Sequence, residues 1–188
     1  MDHPVLLVVD MLNDFFRSGR LAALRSEIVD SINELVALFR SRGWPIVWIR
    51  QEFAPDLSDA FLAMRDSGMT ITMAGTTGCE ILPDLDYQTT DAVIVKKRYS
   101  AFFGTNLDDL LTALNPDILV ISGINSHACV RTTVIDAYQR DYRVVIAGEA
   151  VASYDEEHHR VSMGYLNNVV RIMSNEQLFA EAGSQRHS

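Results

Sequence analysis

At 188 residues the chain can bury one sizeable hydrophobic core and is too short for two of typical size. Its composition, 48% hydrophobic and 22% charged, excludes the disordered and collagen-like classes. A formal charge of −9 disfavours attraction to nucleic acid phosphates and anionic membranes, and leaves a small-molecule substrate open.

The opening MDHPVLLVVD has a short apolar stretch but neither a basic leader nor a small-residue cleavage site. No run reaches the roughly 18 to 20 apolar residues of a membrane helix, so the expectation is a cytoplasmic protein with no membrane or nucleic acid partner. Residues 5–10, VLLVVD, read as a first strand, since a continuous apolar run marks a strand covered on both faces. A helix follows in LAALRSEIVDSINELVALFRSRG, with Ile28, Ile32, Leu35, Val36 and Phe39 at helical spacing and Gly43 as its stop. PIVWIR (45–50) is the second strand. The segment 52–87 is irregular and rich in Gly and Thr, with one helix expected at 57–66; it reads as an excursion that forms a pocket wall or a subunit contact.

AVIVK (92–96) is the third strand, and NLDDLLTAL the next helix, capped by Thr105 or Asn106. ILVISG (118–123) leads through GINSHA into a helix at 128–141; RVVIAG (143–148) and the weaker VVRIM (169–173) complete the set. This alternation predicts an α/β fold: three layers, a mostly parallel sheet of about six strands, and helices on both faces. A single domain over residues 1–182 and a flexible tail over 183–188 are expected.

In such a sheet ligands bind beyond the carboxyl ends of the strands. Asp10 and Lys96 end two strands, and a third runs through a tight loop into Cys129. Alone, each has an ordinary reading as a helix cap, a solvated lysine or a small buried residue. Together they suggest covalent acyl transfer, with a thiolate favoured by a helix start and by the lysine, a carboxylate as proton carrier, and the amides of Ala128 and Cys129 as oxyanion donors. His127 offers a rival Cys-His pair, but side chains two apart at a helix entrance diverge, so a loop or subunit-contact role is expected for it. His158 and His159 read as a solvated helix face, and Cys79 as structural. Cys79 and Cys129 have neither zinc-site spacing nor the density of a disulfide scaffold.

LLVVDMLNDF, VIVKKRYSAFFGTNLDDLL and ISGINSHACVRTTVIDAYQRDYRVVIAGEAVAS, in this order, resemble the isochorismatase-like cysteine hydrolases. That family includes nicotinamidases, N-carbamoylsarcosine amidases, ureidoacrylate amidohydrolases and isochorismatases, and the resemblance covers roughly residues 4 to 175. It implies Asp10, Lys96 and Cys129 as the catalytic set, Lys96 being chosen over Lys97 because the family's lysine stands three before the tyrosine, here Tyr99. It implies a non-proline cis peptide joining Ile124 to Asn125, and a homo-oligomer, dimer or tetramer. By position, Asn125, Phe15, Arg50, Gln51, Tyr99 and Phe102 are pocket candidates, with core packing the alternative for the aromatics.

Two departures narrow the implied activity. Nicotinamidases of the family hold a metal through an aspartate and histidines after the second strand, whereas here WIRQEFAPDLSDAF has no histidine; no metal or other cofactor is expected. Isochorismatases proper commonly lack the cysteine, so Cys129 favours cleavage of a C–N bond in a small amide, carbamoyl or ureido compound through a thioester. A vinyl ether hydrolase of the isochorismatase type and a catalytically silent thiol protein of the same fold are the alternatives.

Overall fold

Six strands pair side by side, all in parallel, in a computed structural model that describes residues 1–183. They are β1 (Pro4–Val9), β2 (Ile46–Gln51), β3 (Ala92–Lys96), β4 (Ile118–Gly123), β5 (Val144–Val151) and β6 (Arg171–Met173). The order across the sheet is β3-β2-β1-β4-β5-β6. Every residue of β1 and β4 is buried, as their unbroken apolar runs require.

Successive side chains of β1 serve opposite layers. Leu6 and Val8 pack with Ile28, Ile32, Leu35 and Phe39 of α1 (Gly19–Ser41), whose stripe follows the helical period. Val5, Leu7 and Val9 pack on the other face with Leu111 of α3 (Leu107–Leu114), Val134 of α4 (Arg131–Gln139) and Leu166 of α5 (Glu156–Leu166). Helices thus cover both faces. Among the described residues no helix is long and apolar enough to cross a membrane.

Local chemistry moved some boundaries. The helix expected at 57–66 begins later, as α2 (Leu62–Ser67), because the Asp56 and Asp59 carboxylates accept the Ser58 and Ala54 amides at 3.0 and 2.8 Å and hold the preceding residues in turns. At α3, Thr105 Oγ1 accepts the Leu107 amide at 3.2 Å, while Asn106 makes no side-chain cap. A helix not foreseen, α6 (Asn175–Gly183), opens with a reciprocal cap: Gln177 Oε1 accepts the Ser174 amide at 2.9 Å and Ser174 Oγ accepts that of Gln177 at 3.2 Å. Gly183, assigned to the tail from sequence, is the last residue of α6, and the rest of that tail lies outside the described residues.

The excursion 52–87 carries a small core of its own, Phe53, Ala60 and Met64, with Phe61 and Ile71 packed against it. It is fastened to the main body by a bridge between Leu12 and Ile81 and by the Asp14 carboxylate, which accepts the Thr72 amide at 2.6 Å. This places it beside the carboxyl ends of β1 and β2.

Chain order reverses between β1 and β4: β2 and β3 extend one side of β1, and β4, β5 and β6 the other. Loops leaving β1 and β4 therefore part at this point and open a crevice. Their closeness depends on Gly123. It pairs with Val9 at φ 103°, and a Cβ there would lie 2.1 Å from the Val9 carbonyl oxygen. Gly123→Ala should lower the unfolding free energy by about 2–5 kcal/mol, combining positive-φ strain with overpacking against fixed backbone. Urea denaturation checks this, and a loss below about 0.5 kcal/mol would show that the strand ends can separate freely.

Candidate active site

Asp10, Lys96 and Cys129 meet at this crevice, with relative exposures of 1%, 1% and 4%. Asp10 directly follows β1 in the left-handed region, φ 52°, a conformation that costs a non-glycine residue energy and that the surroundings must hold. Its own amide donates to the Ile49 carbonyl at 2.9 Å, and its Oδ1 accepts the Gln51 amide at 2.9 Å, so both ends are tied to β2. Lys96 extends from the end of β3 to bring Nζ 2.7 Å from Asp10 Oδ2. The same ammonium donates to the Arg98 carbonyl at 3.0 Å and to Cys129 Sγ at 3.4 Å. The ammonium thus has one ion-pair partner and two hydrogen-bond acceptors, which compensate its burial.

Lys97 faces the other way, as alternation along an extended chain demands, and pairs with Asp59 at 3.0 Å on a partly exposed surface. Of the two lysines, Lys96 is the one that contacts Asp10 and Cys129.

Cys129 is not at the start of an α-helix. The Ile124–Asn125 peptide is cis, and residues Ser126–Val130 form one wide π-helical turn before α4 begins at Arg131. The Asn125 carbonyl accepts the amides of Ala128 at 3.0 Å and Val130 at 3.1 Å. Ala128, expected as an oxyanion donor, therefore has its N–H engaged within the turn. The turn is anchored from the β5 side: Ser126 donates its amide to the Ala152 carbonyl at 2.9 Å, Ser126 Oγ meets His159 Nδ1 at 2.8 Å, and Asn125 Oδ1 accepts the Tyr154 amide at 3.1 Å.

The expectation of a thiol made acidic by a helix start is corrected by these surroundings. Burial, and next the negative charge of Asp10, push the Cys129 thiol up to about 12, and the Lys96 ammonium offsets only part of this. For Lys96 the balance runs otherwise. Burial alone would lower its pKa, but the charges of Asp10 and Cys129 outweigh it and raise the value. The resting thiol is thus neutral, beside the Lys96 ammonium and the Asp10 side chain.

Above the thiol lies a cavity of about 670 Å3, within the range of small-molecule sites. Phe15, Gln51, Tyr99 and Asn125 line it; Phe61, Met64, Met69 and Ile71 of the excursion complete the apolar wall. Arg50 and Phe102 do not line it. Arg50 alternates away from Gln51 on β2 and pairs with Glu52 at 2.8 Å, and Phe102 is buried in the α3/α4 core layer beneath the Arg140 guanidinium. Cys79 is buried beside Glu52 and the Thr76 carbonyl, away from the cavity.

Two histidines were missed. His127 and His158 border the cavity with Tyr154, their rings 5.2 Å apart, because the wide turn and the start of α5 face each other across its mouth. Spacing along the sequence carries no sign of this contact. His127 Nδ1 lies 2.6 Å from Ser153 Oγ; burial, then His158, lower its pKa against the opposing charge of Asp155. His159, partly buried, is lowered by burial and by Arg20, with Glu156 opposing. Among the described residues no group of three or more His, Cys, Asp or Glu is arranged to hold a metal ion.

A family model described as the isochorismatase domain matches residues 4–177. The chain belongs to the isochorismatase family of hydrolases. It is 33% identical over 175 residues to an Arabidopsis thaliana protein named "probable inactive nicotinamidase", covering 89% of each chain. Among solved structures, an isochorismatase family protein from Desulfovibrio vulgaris superposes with a TM-score of 0.86 at 29% identity, covering 95% of this chain and 97% of that one. The N-carbamoylsarcosine amidase of Thermoplasma acidophilum superposes with a TM-score of 0.77 at 31% identity, over 92% and 96%.

Two outcomes are expected. Alkylation of Cys129 by iodoacetamide, followed by mass spectrometry, should be slow throughout the neutral range and keep rising into strong alkali; a plateau below neutrality would mean a preformed thiolate. His127 and His159 have folded pKa values below the unfolded value of about 6.5, so their contribution is full above that value and is lost as pH falls through it. Wild-type stability in urea should accordingly fall more steeply between about pH 7 and pH 5 than that of His127→Asn. Equal slopes would contradict a neutral, partly buried His127.

Proposed function

We propose that the protein is an amidohydrolase that cleaves the C–N bond of a small non-peptide amide, carbamoyl or ureido compound through a thioester on Cys129. The observation that carries this reading is the contact of thiol, ammonium and carboxylate at the base of a cavity of ligand size. The N-carbamoylsarcosine amidase among its structural neighbours supports it, since that enzyme's name specifies an amide bond.

The thiol is neutral at rest, so deprotonation accompanies attack. As the Cys129 Sγ–carbon bond forms, the thiol proton passes to Asp10, and the growing sulfur charge is met by Lys96. The substrate oxygen gathers negative charge at the π-helical turn, where the Cys129 amide serves it directly and the Ala128 amide must turn from the Asn125 carbonyl to share in it. Asp10 returns its proton to the nitrogen, the C–N bond breaks and ammonia or an amine leaves. Water then attacks the thioester, giving its proton to Asp10, and the released thiolate recovers that proton.

Lys96 does not transfer a proton in this scheme. Its ammonium stays in contact with the Asp10 carboxylate and the Cys129 sulfur and fixes both groups in one geometry. Cys129→Ala should abolish turnover of every amide in a broad panel, Asp10→Asn should lower kcat by about a hundredfold to ten-thousandfold, and Lys96→Met should lower both stability and kcat. Activity retained in Cys129→Ala would sink the thioester route. Isochorismate cleaved faster than any amide would favour the vinyl ether reading, and a wild-type protein silent on both would favour the non-catalytic one.

A further inference from the structure

Ser126 opens the wide turn that carries Cys129, and its side chain is used differently from those of its neighbours. Asn125 and His127 reach the loop after β5: Asn125 Oδ1 accepts the Tyr154 amide at 3.1 Å, and His127 Nδ1 lies 2.6 Å from Ser153 Oγ. The Ser126 amide joins the same loop at the Ala152 carbonyl, 2.9 Å away. Its hydroxyl goes instead to another element, α5, where it meets His159 Nδ1 at 2.8 Å. Ser126 is fully buried, and among the described residues this ring nitrogen is the partner its Oγ has. A buried hydroxyl without a partner is costly, so loss of the ring would drive Ser126 to reorient.

His159 stands outside the reaction cavity. His127 and His158 line that cavity, whereas His159 borders a separate one of about 210 Å3 together with Arg20, Glu27 and Glu149. The ring is held from its own side. In the first turn of α5 the His159 amide donates to the Asp155 carbonyl at 3.0 Å, and Asp155 Oδ1 caps the helix by accepting the His158 amide at 2.7 Å. Arg20 of α1 donates to the Ser153 carbonyl at 3.1 Å and fastens the adjoining loop. The ring thus touches no reacting group, and its influence on the sulfur runs through Ser126.

The path from Ser126 to the sulfur is short. The Asn125 carbonyl, directly before Ser126, accepts the amides of Ala128 and Val130, the chain neighbours of Cys129. A rotation at Ser126 swings that carbonyl and moves both. We propose that His159 is a positioning residue for Cys129: by holding the Ser126 hydroxyl it fixes the turn and keeps the sulfur within reach of Lys96 and Asp10. The inference rests on the reading of Cys129 as the nucleophile. Two opposite effects identify such a role. A displaced turn takes the sulfur out of line for attack, which lowers kcat; it also brings the thiol toward water and away from the Asp10 charge, which lifts both influences that suppress its ionisation.

The test reads both effects in variants shown by circular dichroism to be folded. In His159→Ala, kcat on any amide that the wild type turns over should fall by about tenfold to a hundredfold, while alkylation of Cys129 by iodoacetamide at neutral pH should run at least about threefold faster. His159→Phe, which keeps a ring without its nitrogens, should share both effects. His159→Asn, whose amide reaches the position of Nδ1, should stay within about threefold of the wild type in each. Ser126→Ala removes the same bond from its other end and should match His159→Ala, and the double variant should be no worse than either single one. A His159→Phe protein equal to the wild type in kcat and alkylation would assign the ring to packing and overturn the inference, as would losses at Ser126 and His159 that multiply in the double variant. Alkylation needs no substrate. If the wild type turns over no amide, the amidohydrolase reading falls by itself; faster alkylation of His159→Ala then still upholds the positioning role, and an unchanged rate overturns it.

Discussion

A carboxylate and an ammonium held 2.7 Å apart and screened from water constrain everything around them. Removing either partner would leave a charge uncompensated in the interior, at a cost of about 3–5 kcal/mol, so Asp10 and Lys96 must be presented together. Asp10 leaves the central strand in a left-handed conformation, tied to β2 at both its amide and its carboxylate. Lys96 comes from the edge strand and spans the end of β2 to reach it. Cys129 enters from the other side of β1, brought close by a glycine that lets β4 run almost onto the Val9 carbonyl. The sheet order, the strained Asp10 and the glycine at 123 are three parts of one arrangement.

In the proposed reaction the thiol is the group whose protonation changes. Burial leads, the charge of Asp10 adds to it and Lys96 opposes them only in part, so the resting sulfur keeps its proton. A preformed thiolate would need a second cation or an absent carboxylate. On the proposed route nucleophile formation is coupled to attack, with the Asp10 carboxylate, 1% exposed, as the proton's destination. The wide turn that carries Cys129 is anchored by Ala152, Tyr154 and His159, which links the loop after β5 and the start of α5 to the position of the sulfur.

Much of this was legible in the sequence for simple geometric reasons. Unbroken apolar runs give doubly covered strands, and the ends of those strands mark one edge, which is why Asp10, Lys96 and Cys129 could be read together. Lys96 was separated from Lys97 by its place three before Tyr99, and Lys97 pairs instead with Asp59. What escaped depends on contacts between distant segments. A pKa near 12 for Cys129 reflects burial and a carboxylate 119 positions earlier (129 minus 10) in the chain, neither of which a helix-start argument contains. His127 meets His158 only because the π-helical turn and the start of α5 face each other at the cavity. Arg50 and Phe102 were chosen by position along the chain, but their side chains point to Glu52 and into the core. For α6 a signal was present: Ser174 and Gln177 stand at capping-box spacing.

The central claim is that Cys129 becomes covalently attached to the acyl half of an amide while Asp10 carries the proton. Rapid acid quench during turnover, followed by intact-mass and peptide mass spectrometry, tests it most directly. The account predicts a mass increase equal to the acyl group on the peptide containing Cys129, and a much smaller adduct yield in Asp10→Asn. Steady turnover in the wild type, with no adduct at any quench time and undiminished turnover in Cys129→Ala, would contradict it.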